Sequence, residues 1–72
     1  AVVNVSDLNA FEAGSIVDLQ ALQQKGLVKK EYEGVKVLGN GELKVALTVK
    51  AKKFSETAKE KISAAGGSIE VL

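Results

Sequence analysis

The sequence predicts one small α/β domain with short strands and packed helices. Three observations carry the prediction. Apolar and polar residues alternate at Val35–Val37, Leu43–Val49 and Ile69–Val71, the period of a strand with one face on a core. Capped stretches with helical apolar spacing lie among those runs, most clearly from Ser55 to Ala65. The chain has 72 residues, enough for a single domain over 1–72 and no more. Strands mixed with helices in this way read as an α/β layered domain.

Taken in order, Ala1–Val5 is a short strand candidate. It starts abruptly, as the middle of a longer polypeptide would. Ser6-Asp7 offers an N-cap for a turn of helix through Phe11, with Leu8 and Phe11 on one face. Phe11 is expected to pack as a core residue. Beyond Gly14, Ile16-Val17 forms an extended link and Asp18 caps a helix over 19–25 that Gly26 stops. Leu27 and Val28 follow as an apolar contact. The charged run Lys29-Lys30-Glu31-Tyr32-Glu33 reads either as a solvated loop or as a phosphate site.

Gly34–Lys53 is expected to form a hairpin. Val35 and Val37 lie on one strand and Leu43, Val45, Leu47 and Val49 on the other, joined at Gly39-Asn40-Gly41. Ser55 caps the next helix. Phe54 is placed for a hydrophobic staple, and Glu56 sits in the first turn, three residues before Lys59. Ala58, Ile62 and Ala65 form a thin buried stripe. Gly66-Gly67 ends that helix, which then crosses over to deliver Ser68–Leu72 parallel to an earlier strand.

Composition narrows the function. There is no His and no Cys, which removes the usual nucleophile–base pairs, zinc spacings and disulfides. The nine acids are scattered, with none inside an apolar run, so no tuned acid–base pair stands out and an enzyme is not expected. Gly39-Asn40-Gly41 matches neither phosphate-loop spacing and is explained by a turn. No cofactor, metal or small-molecule substrate is expected, and no apolar run approaches the roughly 20 residues of a membrane helix. A domain this small, without staples, is expected to need support from a partner or from missing parts of the polypeptide.

Ten lysines against nine acids give a net charge of only +1, and no Arg occurs. Any polyanion contact would therefore neutralise a backbone and read little base sequence. The basic constellation is Lys50, Lys52 and Lys53, with Lys44 earlier. On one continuous strand, Lys44, Lys50 and Lys52 would share the face opposite Leu43, Val45, Leu47 and Val49. Such a row either tracks phosphates or protects a sheet edge from aggregation.

Three segments together resemble the C-terminal domain of the bacterial large-subunit ribosomal protein L-fifteen family. They are Val3–Asn9 with Phe11 and Gly14, then Gly26–Lys30 with Gly34–Leu43, and Leu47–Ala51 with Lys53-Phe54-Ser55, Ala58, Ile62 and Ala64–Gly67. The departures are Lys52, where many members carry His, and Lys44–Ala46, where many are more basic. The resemblance implies an irregular β-β-α superhelical domain with a mixed sheet, and a non-enzymatic role on the cytoplasmic ribosome. The implied partners are large-subunit rRNA (23S) and neighbouring ribosomal proteins. It further implies that the basic N-terminal half of such proteins is absent from this chain, in keeping with the low net charge. On electrostatic grounds, Lys29, Lys30, Lys36, Lys50, Lys52 and Lys53 are the expected phosphate contacts. The competing reading is a protein-interaction module that docks through an apolar patch or adds a strand at an edge formed by Leu43–Val49.

Overall fold

In the computed structural model, which describes residues 1–29 and 34–72, successive strands alternate between two sheets. The strands are β1 (Val2–Asn4), β2 (Ile16–Val17), β3 (Lys36–Leu38), β4 (Thr48–Ala51), β5 (Lys53–Phe54) and β6 (Ser68–Val71). Sheet A has the order β1-β3-β5 and sheet B the order β2-β4-β6. Every pair is parallel. The chain thus winds three times, and each turn lays one strand on each sheet. This is the superhelical α/β arrangement, with the expected single mixed sheet resolved into two parallel ones.

The legs between the sheets differ. A 3-10 helix (Val5–Ala10) joins β1 to β2, and α1 (Leu19–Gln24) follows β2. One residue, Lys52, separates β4 from β5. The nine-residue α2 (Glu56–Ala64) leads from β5 to β6 and delivers β6 parallel to β4, the crossover that the helix-then-strand pattern predicts.

Local chemistry sets the helix ends. The Asp18 carboxylate accepts from Ala21 N–H at 2.8 Å, and Ser55 Oγ accepts from Ala58 N–H at 3.1 Å. Both helices close with a Schellman pair: Leu27 and Gly26 N–H return to the Leu22 and Gln23 carbonyls, and Gly67 and Gly66 N–H to Ile62 and Ser63. The first helix departs from expectation. It is 3-10, capped one turn earlier at Asn4, whose N–H donates to the Asp7 carboxylate at 3.0 Å. Phe54 acts as a strand residue in register with Val37.

One core takes the inward residues of both sheets: Val3 and Val37 from sheet A, Val17, Val49 and Ala51 from sheet B. Leu8, Phe11, Leu22, Ala58 and Ile62 fill it from the helical legs. Ala65, expected in the buried stripe, is half-buried.

The hairpin does not form. β3 and β4 belong to different sheets, and residues 41–47 are not a strand. A two-residue hairpin turn of the Asn-Gly kind needs positive φ at both central residues. Gly41 has φ +81, but Asn40 does not enter that region. The loop is instead fastened to helices on either side. Lys61 Nζ, on α2, donates to the Gly39 carbonyl at 2.7 Å and to the Gly41 carbonyl at 2.6 Å. Asn9 Nδ2 donates to the Ser6 and Glu42 carbonyls, Asn9 Oδ1 accepts from Lys44 N–H at 2.8 Å, and Asn40 Nδ2 donates to Asn4 Oδ1. A Cβ at Gly39 would lie 2.5 Å from Thr57 Cβ, so the loop meets α2 where no side chain fits. Leu43 and Val45 still pack on the core, without strand pairing.

Lys61→Met keeps the apolar stem and removes the ammonium from two carbonyls. It is expected to lower unfolding stability by about 1–2 kcal/mol. Lys59→Met, which loses only an exposed 3.4 Å pair with Glu56, is expected to change it by less than about 0.5 kcal/mol. Urea midpoints check this; equal losses in the two variants would show that Lys61 does not hold the loop.

Candidate nucleic-acid interface

Sheet A presents a short row of exposed residues across its three strands. Val2, Lys36 and Lys53 are register partners on β1, β3 and β5. Side chains alternate along each strand, so Val3, Val37 and Phe54 face inward while these three face solvent. Parallel register thus places Lys36 and Lys53 side by side, at the strand spacing of about 4.8 Å. Among the described residues neither forms an ion pair with an acid.

Lys52 stands at the corner where the chain leaves sheet B for sheet A. The Val35 carbonyl accepts from both Lys52 N–H (3.1 Å) and Lys53 N–H (3.3 Å), which fixes the backbone at the bend. The Lys52 stem lies over Gly34: a Cβ there would meet Lys52 Cδ at 3.3 Å and Cγ at 3.4 Å. Absence of a side chain at position 34 therefore makes room for the methylene stem. Gly34, Val35, Lys36, Lys52 and Lys53 line an open depression of about 190 Å³ with Ala1, and among the described residues no acid lines it. Enclosed small-molecule sites run to about 300–1,000 Å³, so this surface suits a contacting phosphate better than an engulfed ligand.

The remaining predicted residues lie elsewhere. Lys50 is on β4 in sheet B, in register with Glu70, and its Nζ lies 3.4 Å from the Glu70 carboxylate. Lys29 is exposed just past Val28, and Lys30 lies outside the described residues, as do Glu31, Tyr32 and Glu33. The expected face shared by Lys44, Lys50 and Lys52 is not formed. Lys44 precedes β4 and Lys52 follows it, so the three never occupy one strand. The edge expected for Leu43–Val49 is likewise absent, because β4 is the central strand of sheet B.

These placements separate the two readings of the lysines. Edge protection accounts for Lys53, since β5 is an edge of sheet A. It does not account for Lys36, which lies on the central strand. Two neighbouring lysines with no acid opposite them among the described residues repel, at a cost in stability that an anion would offset. Sequence reasoning named both residues without pairing them, because a 17-residue separation carries no signal of parallel register. It also missed Lys61, whose loop contacts depend on how α2 lies.

Comparison with known proteins agrees with the superhelical α/β fold. Residues 2–70 match the family model described as "Ribosomal proteins 50S-L15, 50S-L18e, 60S-L27A". The chain is 64% identical over 72 residues to "Large ribosomal subunit protein uL15" of Lactobacillus delbrueckii subsp. bulgaricus, covering 100% of this chain and 49% of that protein. The proteins of the same name from Lactobacillus acidophilus and Syntrophotalea carbinolica are 61% and 59% identical, again over 100% of this chain and 49% and 50% of theirs. The chain belongs to this family of ribosomal proteins, which is structural and not enzymatic. It spans about half the length of the curated relatives it matches, their C-terminal half.

Charge placement yields opposite stability effects in the two sheets. Lys36→Gln relieves a like-charge neighbour and is expected to raise stability by about 0.2–1 kcal/mol at low salt, a gain that shrinks as salt screens it. Lys50→Gln removes the partner of Glu70 and is expected to lower stability by about 0–1 kcal/mol. Urea unfolding at low and high salt measures both; a loss on Lys36→Gln would contradict the repulsive pairing.

Proposed function

We propose that this chain is a structural, rRNA-binding part of the large ribosomal subunit that supports subunit assembly on the cytoplasmic ribosome. The observation that carries the reading is the cluster of Lys36, Lys52 and Lys53, which no acid lines among the described residues, with Lys36 on a central strand where edge protection gives no reason for it. Membership of a ribosomal protein family supports the polyanion as rRNA. The domain acts by position. It docks, its lysines neutralise phosphates, counterions are released, and RNA segments are held in register. With no Arg in the chain, base reading by bidentate contacts is not available to it from that residue, so recognition rests on backbone and shape.

Lys29 and Lys30 are proposed as additional contacts, and Lys50 as a weaker one because Glu70 competes for its ammonium. Neighbouring ribosomal proteins are the proposed protein partners. Docking by strand addition at Leu43–Val49 is not retained, since both edges of β4 are occupied by β2 and β6.

Binding to a large-subunit rRNA fragment is expected to weaken steeply with salt. The triple variant Lys36→Gln, Lys52→Gln, Lys53→Gln is expected to flatten that dependence and to lose incorporation into large-subunit particles with folding intact; Lys50→Gln is expected to do much less. Binding that stays flat from low to high salt would overturn the reading. Unchanged incorporation of the triple variant would favour a protein-interaction module instead.

A further inference from the structure

The three clustered lysines are not equivalent, and the sequence neighbours are not the spatial pair. Lys52 is the bend residue between β4 and β5, so it has no strand register with Lys36 or Lys53. Lys52 is further committed to the corner by its stem on Gly34 and its N–H on the Val35 carbonyl. Lys36 and Lys53 are instead lateral partners on one face, about 4.8 Å apart at the backbone. Their long stems allow both ammonium groups to converge on one anion.

We infer that Lys36 and Lys53 clamp a single backbone phosphate between them, while Lys52 takes a separate one at the corner. The inference rests on the rRNA reading above and specifies how that surface divides its contacts. An anion shared between two like charges receives both attractions and relieves their mutual repulsion. Each ammonium donates to a different non-bridging oxygen of the phosphate, since Lys offers three donors and no acceptor. Val2, third in the row and exposed, flanks the clamp with an apolar side chain.

A double-mutant cycle on the full chain tests the inference. Lys36→Gln, Lys53→Gln, the double variant, Lys52→Gln and Lys52→Gln combined with Lys53→Gln are each titrated with a large-subunit rRNA fragment across a salt series. All sites are exposed, and urea midpoints confirm folding. A phosphate contact contributes about one to the slope of log affinity against log salt. With a shared phosphate, either single change at 36 or 53 leaves the slope nearly intact and costs a few-fold in affinity. The double change then lowers the slope by about one and costs more than the product of the singles. Lys52→Gln alone lowers the slope by about one and combines with Lys53→Gln multiplicatively. Slope losses of about one for each of Lys36 and Lys53, and about two together, would overturn the shared clamp and leave the rRNA reading standing. Binding unaffected by any variant, or insensitive to salt, would overturn both.

Discussion

A parallel pair of strands cannot be closed by a tight turn, because the chain must travel back before it pairs again. Every strand pair in this domain is parallel, and the rest of the structure follows from that constraint. The return journey after each strand passes through the opposite sheet, so two sheets grow together. The helical legs lie between the windings and supply Leu8, Leu22, Ala58 and Ile62 to the shared core. Where there is no helix the turn is made by the loop beyond β3, clamped by Lys61 and Asn9, or by Lys52 alone.

What could be seen in the sequence divides along the same line. Signals confined to a few residues were legible: the Asp18 and Ser55 caps, the glycine stops, the burial of Phe11, and the final crossover to β6. Alternation at Leu47 and Val49 correctly marked inward side chains. What alternation does not report is the identity of the pairing strand. The hairpin expected at Gly39-Asn40-Gly41 failed because a strong local turn signal competed with tertiary fastening. Lys61, Asn9 and Asn4 hold that loop in another shape, and each lies at least 20 residues away in sequence. The superhelix itself entered through family resemblance, since nothing in residue spacing distinguishes one mixed sheet from two parallel ones.

The candidate interface was legible as a list and not as an arrangement. Lys36, Lys52 and Lys53 were named, but their grouping apart from Lys50 depends on β4 and β5 belonging to different sheets across one residue. A near-neutral chain can thus carry a positive surface. Lys50 and Lys59 are offset by Glu70 and Glu56, and Lys61 is turned to backbone carbonyls, while among the described residues no acid lines the depression of the sheet A lysines.

The order of the windings also bears on how the domain comes into being. Strands stack in the order in which they are encoded, first to last in each sheet, so a nascent chain emerging N-terminus first can lay each coil on a finished one. No early strand waits for a late one to be inserted beside it on both sides. The second flank of β4 is closed only when Ser68–Val71 appear, which makes β6 the latch on the windings laid before it.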